Sequence, residues 1–231
     1  MTDGDADTTR AALSRDMILR SALSILDEQG YQGLTLRALG KRLHFSYTAI
    51  YRHLPGKAAL LDGITEVLWL KALNMDAVED AVDGPWQNVL EGLAWRLRET
   101  LLEHPNAVSL VATHPISTRN EFAAIARMLS MLQDCGYEVT DQSINLIMNL
   151  TVFVIGHVLA ESAPPAGGAG GVADPGLLHD VAHAEASLGL LLEPLLESGR
   201  YDMDEQFRQG VRALIGMQSN HRDAANGETD V

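Results

Sequence analysis

Cysteine is almost absent from this chain of 231 residues: Cys135 stands alone, so no disulfide can form within it. That is the usage expected in a reducing compartment. Aromatic residues are few, 5% of the chain, and β-branched clusters are scarce, which weakens any case for strands. Ala, Leu, Met, Glu, Gln and Arg are plentiful instead, a mixture that favours helix. Positive charge is in deficit. Seventeen Lys and Arg face 31 Asp and Glu, a net charge of −14, which by itself should repel phosphate. Long apolar runs are missing too. The longest, residues 144–159, is interrupted by Asn145, Asn149 and His157, and is expected to be too short and too polar to span a bilayer. Residues 1–9 are acidic and polar, without the basic-then-apolar order of a secretory leader. Together these absences lead to the expectation of a cytoplasmic protein with no membrane partner. With 46% hydrophobic and 21% charged residues, the chain is globular and long enough for one large or two small domains.

The charge deficit is uneven. Residues 10–60 carry eight Lys and Arg against three acids, a balance of +5, whereas residues 61–231 balance at −16. A basic head on an acidic body suits a nucleic-acid reader with a separate regulatory domain.

Within that head, apolar residues at helical spacing predict a first helix from the cap Ser14 to Gly30, with Met17, Ile18, Ala22, Ile25 and Leu26 on one side. Thr35 caps a second short helix through residue 43. After His44-Phe45, Ser46 caps a third over Tyr47-Thr48-Ala49-Ile50-Tyr51-Arg52-His53-Leu54. Two helices this short are unstable alone; paired, they form a helix-turn-helix whose second helix enters the major groove. Ile50 and Leu54 face inward, leaving Tyr47, Thr48, Tyr51 and Arg52 outside. Tyr31 and Phe45 are expected to hold the three helices together as core aromatics. A fourth helix is expected from 56–57 to about 75.

The remainder also reads as helix: 85–104, a short one over 106–112, 117–135, 140–162, one from 177 to 198, and 203–219. The fold class is therefore all-α with about ten helices. The expected domains are a tail (1–13), a helix-turn-helix unit (14–62), a ligand-binding and dimerisation unit (63–219) with a mobile Gly-rich loop at 164–176, and a polar tail (220–231).

The run Gly33-Leu34-Thr35-Leu36-Arg37-Ala38-Leu39, with Tyr51-Arg52-His53-Leu54 and Lys57-Ala58-Ala59-Leu60-Leu61-Asp62, strongly resembles the TetR family of repressors. A weaker resemblance to that family's archetype continues through Trp86-Gln87, Leu101-Leu102-Glu103-His104, Thr113-His114-Pro115 and Gly156-His157-Val158-Leu159. The resemblance implies a homodimeric repressor that binds double-stranded operator DNA and is released by a small-molecule inducer. It makes Arg37 a base-reading residue, with a fork suited to guanine O6 and N7, although a surface arginine touching phosphate is the competing reading. Tyr47 and Thr48 then open the recognition helix, and Tyr51 and His53 contact phosphates. Lys57 adds its charge to a helix N-terminus. Thr35 and Ser46 are caps first and phosphate contacts second.

Departures limit what carries over. Tyr47 and Thr48 replace the archetype's glutamine and proline, and Arg52 replaces a tryptophan, so the operator does not transfer. The archetype's metal-binding histidine falls on Leu110 and its supporting glutamate on Ala160. Its two drug-gripping residues fall on Leu73 and Leu93. No magnesium–tetracycline complex, metal or cofactor is expected. What remains is an apolar cavity lined by Leu73, Leu93, Leu97, Leu110, Ile144 and Ile147. His114, Asn149 and His157 are candidates to orient a ligand, and Phe122, Met128 and Phe153 to line or stack on it. This set suits a bulky, mostly apolar molecule with one or two hydrogen-bonding groups. His179 and His183 have a zinc-compatible spacing but no evident third ligand. Apolar surface on the last helices and on residues 144–159 is the expected dimer interface. No catalytic constellation stands out. A helical enzyme or carrier that keeps the head as a structural unit, a ligand-independent regulator and an activator all remain open.

Overall fold

The computed structural model describes residues 12–74, 84–162, 175–198 and 202–227. Every regular element among them is helical: α1 (Arg15–Gly33), α2 (Leu36–Leu43), α3 (Tyr47–His53), α4 (Lys57–Ala72), α5 (Trp86–Glu103), a 3-10 turn (Pro105–Ala107), α6 (Val108–Thr113), α7 (Arg119–Asp134), α8 (Ser143–Ser162), α9 (Pro175–Ala184), α10 (Ala186–Ser198) and α11 (Met203–Gly227).

Local chemistry sets the boundaries of the head. The hydroxyls of Ser14, Thr35 and Ser46 accept hydrogen bonds from the amides of Met17, Ala38 and Ala49 at 3.1, 3.1 and 3.2 Å. Each satisfies one orphan amide at a helix start, a contribution of about 1 kcal/mol. Gly30, at φ 66°, bends the last turn of α1 and accepts a backbone conformation that side chains disfavour. His44 ends α2 in the left-handed region at φ 57°, and this residue makes the turn into α3. Beneath these helices, Ile18, Leu19, Ala22, Ile25 and Leu26 of α1 are buried with Leu39, Ile50, Leu54, Leu60 and Ile64. Gly63 lets α4 approach α1 closely, because a Cβ there would run into the Leu19 side chain.

The body is organised around α5, which buries Val89, Leu90, Leu93, Ala94, Leu97 and Leu101 and packs against α4, α8 and α11. Arg98, also on α5, is only 4% exposed. It donates to both carboxylate oxygens of Glu161 (2.9 and 3.1 Å) and to Asp204 (2.7 Å), so one cation ties α5, α8 and α11 together. The rings of Trp95 and Phe207 lie 5.1 Å from its guanidinium.

Four expectations need correction. Helix α8 is, by length and composition, long enough to cross a membrane. Its buried residues Leu146, Leu150, Val154, Ile155 and Val158 pack against other helices, the position of a core helix. The single helix expected over 177–198 is two, parted at Glu185. Gly189 permits the close return, since a Cβ there would sit 2.7 Å from the Ala182 carbonyl oxygen. Residues 220–227, expected as a tail, continue α11. The expected Gly-rich loop lies outside the described residues over 164–174, while Pro175 and Gly176 already belong to α9.

Candidate DNA interface and ligand cavity

All three acids of residues 10–60 are engaged. Asp16 pairs with Arg20 at 3.0 Å, and Glu28 pairs with Arg42 at 2.6 Å. Hydrogen bonds from Arg42 and Ser24 hold the Glu28 carboxyl at about 2, well below the usual carboxylate range. Asp27 meets His104 Nδ1 at 2.9 Å. Arg15 is engaged elsewhere, with Glu66. Four cations of the head are therefore left without a carboxylate partner among the described residues. Arg37 and Lys41 lie on α2, Arg52 on α3 and Lys57 at the start of α4, and all four are exposed. The excess charge visible in the sequence is thus concentrated on the helix-turn-helix.

Tyr47, Thr48, Tyr51, Arg52 and His53 are all exposed on α3, while Ile50 is fully buried. Tyr47 and Tyr51, one turn apart, stack with ring centroids at 5.7 Å, so the two rings stiffen one another on the outer face. Thr35 and Ser46 are exposed caps whose hydroxyls remain at the surface. Phe45 packs against the core as expected. Tyr31 does not: it is 46% exposed, because the bend at Gly30 turns the last residues of α1 away from the buried stripe. The Lys57 ammonium stands over its ring, 4.3 Å from the centroid. Lys41 and Tyr31 are surface groups that periodicity alone did not single out for the interface. The local excess of Lys over acids near Arg37 was the available signal for Lys41.

In the body, a cavity of about 710 Å³ opens between α4, α5, α7 and α8 and the segment from α6 to Ile116. Leu73, Leu93, Leu97, His114, Met128, Ile144 and Ile147 line it. Five expected lining residues do not. Leu110 is buried in α6 facing the protein interior, away from the cavity wall. Phe122 is 58% exposed on the surface of α7. Asn149 and Phe153 border a separate groove between α8 and α11. His157 is buried against Phe153 and Phe207, with Nδ1 3.5 Å from Glu161. The helical period explains these misses: α8 has apolar residues nearly all round, so spacing cannot tell its cavity face from its α11 face.

Among the described residues, the wall includes no Asp, Glu, Lys or Arg. Its polar groups are Thr113, His114, Thr140, Ser143, Thr151 and the indole of Trp69. Trp69 Nε1 and His114 Nδ1 are buried without hydrogen-bond partners among the described residues, a condition costing about 1–3 kcal/mol for each group. No cluster of three or more His, Cys, Asp or Glu side chains able to hold a metal ion exists among the described residues. His179 and His183 stack ring on ring, with centroids at 4.1 Å.

Among the described residues, two polar joints connect head and body. At the first, Glu66 of α4, 4% exposed, accepts from Arg15 of α1 at 2.8 Å and from Asn120 of α7 at 3.0 Å. Burial by itself would raise the Glu66 carboxyl. The hydrogen bonds from Arg15, Asn120 and Thr118, with the Arg15 charge, outweigh it and hold the group below its ordinary value. At the second, His104 meets Asp27, and the Asn106 amide donates to the carbonyls of Leu26 and Asp27 at 3.1 and 3.0 Å. Neither Glu66 nor Asn106 carried a sequence signal, since each acts through partners more than fifty positions away.

Two family models match the chain: "Bacterial regulatory proteins, tetR family" over residues 18–64 and "Tetracyclin repressor-like, C-terminal domain" over residues 80–219. The chain is 30% identical over 206 residues to the class A tetracycline repressor protein from transposon 1721 of Escherichia coli, covering 88% of this chain and 89% of that one. Among solved structures, apo ActR from Streptomyces coelicolor superposes with a TM-score of 0.68 at 22% identity, covering 89% of this chain and 94% of that one. ActR in complex with actinorhodin gives the same TM-score at 23% identity, over 89% and 96%. The first of these relatives is named a repressor, and ActR a TetR family protein.

Proposed function

This chain belongs to the tetR family of bacterial regulatory proteins, and from that premise we propose that it is a cytoplasmic, homodimeric repressor released from a palindromic operator by a neutral, largely apolar small molecule. The observation that carries this reading is the run of α4. Its first residue, Lys57, belongs to the unpaired cationic face, and Trp69, Ala72 and Leu73 near its other end form part of the cavity wall. Sixteen helical residues span about 24 Å, so one rigid element reaches from the DNA face to the ligand.

On the DNA, Arg37, Tyr47 and Thr48 reach base edges, while Tyr51, Arg52, His53, Lys41 and Lys57 meet backbone phosphates, with Thr35 and Ser46 at the helix starts. Two copies read successive major grooves, which requires recognition helices about 34–36 Å apart. The exposed apolar side chains Ile144, Met148 and Val152 of α8, beside the groove against α11, supply a self-complementary face for the second copy. Ile144, Met148 and Val152 also edge the cavity, so the partner would close its mouth.

Release follows from differential affinity. A ligand that fills the cavity presses on Trp69, Ala72 and Leu73. It binds better to the form in which α4 has swung and the heads are misplaced. The joints at Glu66 and Asp27 pass that displacement to α1. A cavity wall without charge disfavours ionic ligands, because a buried charge without a partner is costly. A core of this openness also argues against a regulator that only dimerises.

The test is selection of bound duplexes from random-sequence DNA by the purified protein. A two-fold site with half-sites about one helical turn apart is the expected result. Failure to enrich any site would overturn the reading. Arg37→Ala and Tyr47→Ala, both retaining wild-type affinity for the selected site, would contradict the docking.

A further inference from the structure

Most cations of the head that are held in place are also neutralised. Arg15, Arg20 and Arg42 each sit against a carboxylate, which fixes the side chain but cancels its field. Among the described residues, Lys57 is the exception. Its ammonium is held over the face of Tyr31, 4.3 Å from the centroid, and an aromatic face attracts a cation without removing its charge. The N–H donors of the ammonium that turn away from the ring remain available to a further acceptor.

The backbone assembles this pair from two unusual conformations. Gly30 at φ 66° turns Tyr31 outward, and Gly56 at φ 103° leads into Lys57. Gly56 supplies no side-chain cap to α4, so the first amides of that helix have no acceptor from the cap side chain, and a helix start favours an anion. A free lysine would have to lose its rotamer freedom on meeting a phosphate. Here the contact with the ring imposes part of that loss beforehand.

We propose that Tyr31 is a positioning residue of the DNA interface: its ring holds the Lys57 ammonium, undiminished in charge, at the N-terminus of α4 as a ready phosphate clamp. This rests on the reading that the head binds DNA with Lys57 at the backbone. Tyr31 acts through Lys57 and makes no base contact, so it contributes affinity without sequence preference.

The experiment uses the full chain and a duplex carrying the site that the wild-type protein selects from random-sequence DNA. Affinities are measured by fluorescence anisotropy for wild type, Tyr31→Phe, Tyr31→Leu, Lys57→Gln and the Tyr31→Leu/Lys57→Gln double variant. An exposed cation–ring contact corresponds to about a 2–5-fold change per head, and two heads multiply to roughly 4–25-fold. Tyr31→Leu is expected to weaken binding by that factor, and Tyr31→Phe, which keeps the ring face, by less than about twofold. In the Lys57→Gln background, Tyr31→Leu is expected to have almost no further effect, a coupling that a merely structural role would not produce. Thermal midpoints of the folded variants should stay together, since Tyr31 is half exposed. The proposal is overturned by wild-type affinity in Tyr31→Leu, by an equal loss in the Lys57→Gln background, or by a Tyr31→Phe loss as large as that of Tyr31→Leu. Any of these leaves the DNA-binding reading intact, whereas a wild-type protein that selects no duplex removes both.

Discussion

The head and the body handle arginine in opposite ways. In the head, Arg37 and Arg52 stand exposed with no carboxylate partner among the described residues. In the body, Arg98 is buried and saturated, with two carboxylates and two aromatic rings around it. A charge kept in water costs nothing to hold and remains free for a ligand. A charge taken out of water must be satisfied at once, and then becomes a fastener. One residue type therefore stays free for a ligand in one region and serves cohesion in the other, and burial with local acids decides which.

That contrast can be broken from either side. The largest effect is expected from Arg37→Ala. On the proposed docking, loss of a bidentate base contact costs about 1–3 kcal/mol per head, doubled in a dimer, while the unfolding midpoint stays unchanged; operator titration and a thermal melt read the two quantities. Arg98→Ala should do the reverse. It strands Glu161 beside a hole between three helices and lowers unfolding free energy by roughly 3 kcal/mol, with operator affinity of the folded fraction retained. A melt that does not move would refute its role as fastener.

The joint at Glu66 lies between these extremes and titrates. Its folded carboxyl is held below the unfolded value, so its stabilisation is fully present above the ordinary carboxylate range. It is lost as pH falls through the folded value. Wild type should therefore lose thermal stability below about pH 4.5 more steeply than Glu66→Gln, and parallel curves would count against the joint. The smallest effect is expected at the turn: His44→Gly removes a left-handed non-glycine residue and should stabilise the head by roughly 0.5–1 kcal/mol, visible in urea titration.

The parts legible in the sequence were those governed by neighbours along the chain. Ser14, Thr35 and Ser46 announce helix starts because a hydroxyl three residues before an amide is a local arrangement, and Ile50 with Leu54 reveals the inward face of α3 by spacing alone. Tyr31 was misread as core because a single φ at Gly30, invisible in composition, rotates it to the surface. Phe122 and His157 were assigned to the cavity on residue type, yet tertiary packing sends one to solvent and the other behind Phe207. Glu66 sits inside a stretch, residues 63–66, that is buried throughout, so no periodicity marks it. The α9–α10 break was hidden for a similar reason, since the close pass of Gly189 over Ala182 depends on folding and not on a breaker residue.

The two joints have a consequence for modular exchange. Head and body meet through few polar side chains, chiefly Arg15, Asp27, Glu66, His104 and Asn106. Arg15 and Asp27 belong to the half that a head swap would replace. A foreign head with no cation at position 15 would leave Glu66 buried without its charge partner, and one with no acid at 27 would leave His104 unanswered. On the proposed mechanism, such a chimera would still recognise its own operator, but it would be deaf to whatever fills the cavity. Grafting Arg15 and Asp27 along with the foreign recognition helix is the least alteration that keeps reader and sensor in conversation.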